Sequence, residues 1–158
     1  MKPEQDVVRR RFTKRKLISE GKKRLAASKK SSKYTETAKA AAEKFVKDYE
    51  KKHEVKLEYS MDDVRILDRE LEKNFENNTL TTEEIVCMGY FLGEILRRNV
   101  GGDYEFREEQ NVVALKCLEI AAFPILKIKK ALEEKRKGSL EGYVFLYAKK
   151  VSDKKSSK

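Results

Sequence analysis

EEIVCMGYFLGEILRRNVGG, residues 83–102, is the longest apolar run in a chain that is otherwise very charged. Ile85, Met88, Gly89, Leu92, Leu96 and Val100 recur three to four residues apart, the spacing of one helical face. Val86, Tyr90 and Phe91 widen that stripe over most of the circumference, the pattern of a helix surrounded by other elements. Thr81 or Thr82 supplies an N-cap, and Glu84 follows Thr81 at capping-box spacing. Arg97 and Arg98 fall in the last turn, where cations suit the helix dipole, and Gly101-Gly102 ends the element. The rest of the chain reads as the packing around this helix.

After Gly102 the period changes to two. Tyr104 and Phe106 alternate with Asp103, Glu105 and Arg107; Glu108 to Asn111 is a polar turn; Val112 to Ile120 is rich in Val, Leu and Ile. The two segments predict a β-hairpin, with a third short strand around Leu118 to Ala121 as an option. An isolated hairpin is marginal, so its apolar face must rest on helices. Pro124 opens a further helix with Ile125, Ile128 and Leu132 inward and Gly138 as its C-cap. Ser139 can cap a last helix, although Tyr143 to Tyr147 also fits a strand and the choice stays open. Upstream, Ala38, Ala41, Ala42, Phe45 and Tyr49 share one face of a helix over residues 34–53. Val55 to Tyr59 reads as an extended linker or edge strand. Ser60 caps a helix carrying Val64, Leu67, Leu71 and Phe75, closed by Asn77-Asn78, with a very short turn to the central helix. The expected class is α+β: four to five helices packed on a small antiparallel hairpin or sheet, with a basic N-terminal arm.

Several of these residues also carry a resemblance. Met88-Gly89-Tyr90-Phe91-Leu92-Gly93-Glu94, then Gly101-Gly102-Asp103-Tyr104, Phe123-Pro124 and Gly138-Ser139-Leu140, resembles small uncharacterised microbial α+β domains. In those a helix with a G-x-x-x-G-E core precedes a Gly-Gly-aromatic strand, a hairpin and two closing helices. The resemblance covers about Ser60 to Val151, and Tyr104 stands where those domains often carry Trp. It implies an architecture and carries no activity over.

Charge is the most informative compositional feature. The 158 residues have a net charge of +10, and residues 1–33 hold 13 Lys and Arg against 3 Asp and Glu. The remaining residues balance at 24 of each sign. Charge blocks of this kind suggest an arm or a partner surface. The predicted organisation is a basic arm over 1–33, flexible or transiently helical with a joint at KKSSK (29–33), one domain over 34–151, and a basic tail over 152–158. Arg9, Arg10, Arg11, Lys14, Arg15, Lys16, Lys22, Lys23 and Arg24 form the clusters that would contact nucleic-acid phosphate or an acidic protein, without reading sequence. The bland alternatives are a solubilising tail on a protein-interaction domain and a basic membrane-surface helix, the latter disfavoured by a weak apolar face. No run approaches the ~18 apolar residues of a membrane span, and the charged N-terminus has no apolar signal core. With Cys87 and Cys117 in apolar surroundings, the expectation is reduced thiols in the cytoplasm.

Catalytic chemistry is poorly supplied. Glu94, inside an apolar helix beside Gly93, is the one candidate acid or base, and the commoner role of such a residue is a satisfied anchor that pairs with Arg97 or Arg98 or accepts hairpin N–H groups. Gly89, Gly93, Gly101 and Gly102 read as structural positions allowing close approach and turning. His53 is expected at the surface and Cys87 in the core; neither has the company a metal site or a nucleophile requires, so no cofactor and no metal is expected. Tyr143, Phe145 and Tyr147 lie between basic clusters and would form a stacking platform if exposed.

Overall fold

A computed structural model of the chain describes the backbone of residues 14–157 and the side chains of residues 33–157. The elements run α1 (Lys14–His53), a 3₁₀ turn (Met61–Asp63), α2 (Val64–Glu72), α3 (Thr82–Asn99), β1 (Asp103–Arg107), β2 (Val112–Cys117), β3 (Ile120–Ala122), α4 (Pro124–Glu134) and α5 (Ser139–Ser156). The class is α+β, as the change of period implies. The chain divides into two units, Met1–Lys33 and Tyr34–Lys158. In the first, the backbone is helical from Lys14 and stays so through residues 29–33, where KKSSK predicts a joint. The second holds all the later elements, from the 3₁₀ turn to α5.

In that unit α3 is the axis. Its ten residues from Cys87 to Leu96 are all buried. Thr81 caps it: its hydroxyl oxygen accepts from Glu84 N at 3.1 Å, and the Glu84 carboxylate accepts from Thr81 N at 2.8 Å. The sheet is an antiparallel meander in the order β1-β2-β3. Tyr104 pairs with Leu115, and Leu115 with Ala122, so these three share one face and are buried together. The optional third strand exists, shifted to Ile120–Ala122. Leu118 and Glu119 alone join β2 to β3, both with positive φ (50° and 69°), the backbone of a type I′ turn.

Gly89 and Gly93 determine what reaches α3. A Cβ at Gly89 would sit 2.7 Å from the Ile125 Cα, so α4 crosses α3 backbone-close at this point. Two Ala residues, Ala38 and Ala42, give α1 a similarly flat buried face, with Phe45 and Tyr49 continuing it.

Val55 to Tyr59 joins no sheet, the linker of the two options. Three boundaries differ from the sequence reading. The helix opened by Ser60 ends at Glu72, because Asn74 and Asn78 turn the chain: Asn74 Oδ1 accepts from Thr79 N and Asn78 Oδ1 from Leu80 N. Residues 73–81 therefore replace the short turn expected before α3. The C-cap of α4 is Lys135, with φ 52°, and Gly138 is instead the N-cap of α5. Finally, Tyr143 to Tyr147 is helical, and α5 runs on to Ser156, so most of the expected 152–158 tail is helix.

The start of α5 explains why Ser139 does not cap it. Asp68 of α2 does so across the fold: its Oδ1 accepts from Leu140 N and its Oδ2 from Glu141 N, both at 3.0 Å. A carboxylate from another helix thus meets the orphan N–H groups that a local side chain usually satisfies.

Candidate functional site

Two constellations in the globular unit deserve a functional reading. The first surrounds Glu94, which is fully buried. Positions 94, 97 and 98 fall on one helical face, so Arg97 and Arg98 fold back over the carboxylate. Arg97 grips it with both ends of its fork, Nε to Oε2 at 2.8 Å and NH2 to Oε1 at 2.9 Å. Arg98 Nε donates to Oε1 at 3.1 Å, and the Tyr104 hydroxyl donates to Oε2 at 2.8 Å. Each carboxylate oxygen accepts two donors, and the group is saturated. Burial pushes the carboxyl pKa up, but the hydrogen bonds from Arg97, Tyr104 and Arg98 outweigh it and hold it below its ordinary value. Burial and the Glu94 charge drive the Tyr104 hydroxyl far upward, so it stays a donor.

Gly93 makes that contact possible, since a Cβ there would lie 2.8 Å from the Tyr104 oxygen. Arg98 also stacks on the Tyr59 ring, 3.7 Å from its centre, and Asn99 Nδ2 donates to the Tyr59 carbonyl at 2.8 Å. Tyr59 has φ 59°, and these two neighbours hold it there. Glu94 is therefore an ionised anchor joining α3, β1 and the segment before α2. A carboxylate with four donors and no proton has neither role of an acid–base catalyst open to it. The pairing with both arginines and with the hairpin agrees with the sequence reading, except that the hairpin contributes a side chain in place of backbone N–H groups.

The second constellation is a cleft of about 180 Å³ among α1, α2 and α3. Phe45, Tyr49, Leu80 and Met88 supply its apolar surface. His53 and Cys87, remote in sequence, both line it. The Tyr49 and His53 rings lie 4.1 Å apart. His53 Nε2 is buried without a hydrogen-bond partner among the described residues, and Glu70 Oε2 is 4.0 Å away, beyond hydrogen-bond reach. Burial pushes the Cys87 thiol up, which keeps it protonated and a poor nucleophile. The sequence reading placed His53 at the surface and Cys87 in the core. Cys87 is buried, yet it borders the cleft; His53 is only partly exposed. The missed signal is the run Phe45, Tyr49, His53, four residues apart on the face that α1 presents to α3.

The remaining candidates are placed as follows. Arg9, Arg10 and Arg11 lie outside the described residues. Lys14, Arg15, Lys16, Lys22, Lys23 and Arg24 lie on the helical backbone of α1, and their side chains are outside the description. Gly101 and Gly102 have φ near +117°, and a Cβ on Gly102 would meet the Lys116 carbonyl at 2.8 Å, so β1 starts against β2 only with glycine there. The stacking platform is not formed. Tyr147 is buried, and Tyr143 accepts from Phe123 N at 3.0 Å, while only Phe145 of the three is well exposed. Helical geometry explains this, since 143 and 147 share a face and 145 lies opposite. Among the described residues no group of three or more His, Cys, Asp or Glu is placed to hold a metal ion, and no helix is long and apolar enough to cross a membrane.

Compared with protein-family models, curated proteins and solved structures, the chain matches none.

Proposed function

We propose that this chain is a non-catalytic binding module whose basic N-terminal segment contacts polyanionic phosphate, with the helical domain as its platform. The observation that carries the reading is the segregation of charge. Residues 1–33 account for the whole net charge of +10, while the rest of the chain is balanced. Clustered cations gain affinity for a nucleic acid by releasing its condensed counterions, a gain that requires no base contacts and no fixed fold. The saturated state of Glu94 supports the non-catalytic part, because it removes the strongest candidate acid or base. An acidic protein in place of nucleic acid would use the same cations.

The test is a salt titration of binding to a generic DNA duplex and a structured RNA, with the full chain and with a version beginning at Lys33. Affinity of the full chain should fall steeply with salt, with a log–log slope of several units, and the shortened chain should lose both affinity and slope. Absence of binding by the full chain at low salt would refute the reading. A second reading, a protein-interaction domain with a solubilising arm, is favoured by Phe145 and Leu146, which are 67% and 56% exposed side by side on α5. Salt-insensitive self-association abolished by Phe145→Ser would mark that case.

A further inference from the structure

The cleft among α1, α2 and α3 is lined mainly by carboxylates and apolar side chains, and its chemistry points to a ligand other than phosphate. Its polar rim carries four carboxylates, Asp48, Glu70, Glu83 and Glu84, against two ammonium groups, Lys44 and Lys52. Lys44 is already held by Asp48 at 3.0 Å. Lys73 holds Glu70 at 2.8 Å, which leaves Glu83 and Glu84 against Lys52, so the excess is negative and an anion would meet it unfavourably. Deeper in, the His53 Nε2 atom is buried with no hydrogen-bond partner among the described residues. Buried polar atoms are rarely left so, and each exception calls for an occupant or another explanation.

Glu70 stands opposite. Lys73 takes its Oε2 at 2.8 Å, and its Oε1 accepts no hydrogen bond among the described residues. A single donor-rich atom between His53 Nε2 and Glu70 Oε2, which are 4.0 Å apart, can reach both at once, Oε2 then accepting a second hydrogen bond beside that from Lys73. A primary ammonium has three N–H donors, enough for both. The neighbouring surface is Phe45, Tyr49, Leu80 and Met88, suited to an apolar group, with aromatic faces that also attract a cation. At about 180 Å³ the cleft is close to the ~150 Å³ cavity that accommodates one benzene ring.

We infer that this cleft is a binding site for a small primary amine with an apolar body about the size of one aromatic ring, its ammonium held between His53 and Glu70.

The chain has a single histidine, so the imidazole resonances of the full-length protein are an unambiguous reporter. Benzylamine is the probe, titrated at pH 7.5 and fixed ionic strength, with phenylacetate and benzyl alcohol as the anionic and neutral counterparts. Benzylamine should shift the His53 resonances saturably, with at least tenfold higher affinity than either counterpart. Glu70→Gln should weaken it at least tenfold, and Leu80→Trp, which fills the cleft, should abolish the shift. Should Glu70→Gln lower the melting temperature, Glu83→Gln, at the exposed start of α3, carries the same test with a smaller loss expected. No saturable shift with benzylamine, an equal response to phenylacetate or benzyl alcohol, or unchanged affinity in a folded Glu70→Gln variant would each overturn the proposal. The arm and its salt-dependent binding are untouched by any of these outcomes.

Discussion

Replacing Glu94 by Gln keeps the shape of the side chain and removes one buried negative charge. In the native protein that charge accepts two hydrogen bonds from Arg97, one from Arg98 and one from Tyr104. Hydrogen bonds to charged groups contribute roughly 1.5–3 kcal/mol each, so four independent ones would sum to about 6–12 kcal/mol, comparable with the whole stability of a domain. They are not independent. Arg97 and Arg98 are 25% and 38% exposed and can turn to water, and Gln retains one acceptor oxygen. Breaking a buried ion pair typically costs about 3–5 kcal/mol, and the solvent route places Glu94→Gln at the lower end, about 3 kcal/mol. Tyr104→Phe, which leaves Glu94 its arginines, should cost about 1 kcal/mol. Urea unfolding at pH 7 measures both. The pH profile adds an independent check. With its folded pKa below the ordinary 4.5, Glu94 contributes stability that is complete above that value and is lost as pH falls through the lower folded value. Glu94→Gln should therefore lose less stability than the native protein between about pH 4.5 and acid unfolding. A Glu94→Gln variant within 1 kcal/mol of the native protein at pH 7, with an unchanged acid limb, would refute the anchor.

Three further outcomes are expected. Gly89→Ala should destabilise by about 2 kcal/mol, since its methyl would meet the Ile125 backbone at 2.7 Å, whereas Gly142→Ala, with nothing within 4 Å, should stabilise α5 by about 0.5–1 kcal/mol; thermal denaturation of the pair separates crowding from helix propensity. Asp68→Ala should cost about 1–2 kcal/mol by uncapping α5, read as urea unfolding and as faster amide exchange at Leu140 and Glu141. Glu119→Gly should raise stability by about 0.5 kcal/mol, because residue 119 has φ 69° in the β2–β3 turn and only glycine adopts that backbone freely; a lowered melting temperature would contradict the turn.

How far these features were legible follows from the range of the interaction behind each. The central helix, its Thr81–Glu84 cap and its stop at Gly101-Gly102 were readable because periodicity, capping and helix termination act within a few residues. The arginine pairing of Glu94 was readable for the same reason, being an i,i+3 and i,i+4 relation. The hairpin was readable from its period of two. The extent of the last helix was not, because Phe145 and Leu146 stay exposed and blur its apolar stripe.

What only the tertiary structure decided was every contact across the fold. Gly93 is small so that the Tyr104 hydroxyl, from a strand, can reach Glu94. Asp68 looks like an ordinary polar helix residue until the start of α5 is placed beside it. His53 and Cys87 belong to one cleft only because α1 packs its Phe45–Tyr49 face on α3. Composition alone located the excess positive charge in residues 1–33, since net charge requires no fold to be read. The sequence by itself thus determined the central helix, the hairpin and where the charge lies, through local and additive physics. The packing of distant segments decided which side chains meet, because close approach depends on the volumes of residues far apart in the chain.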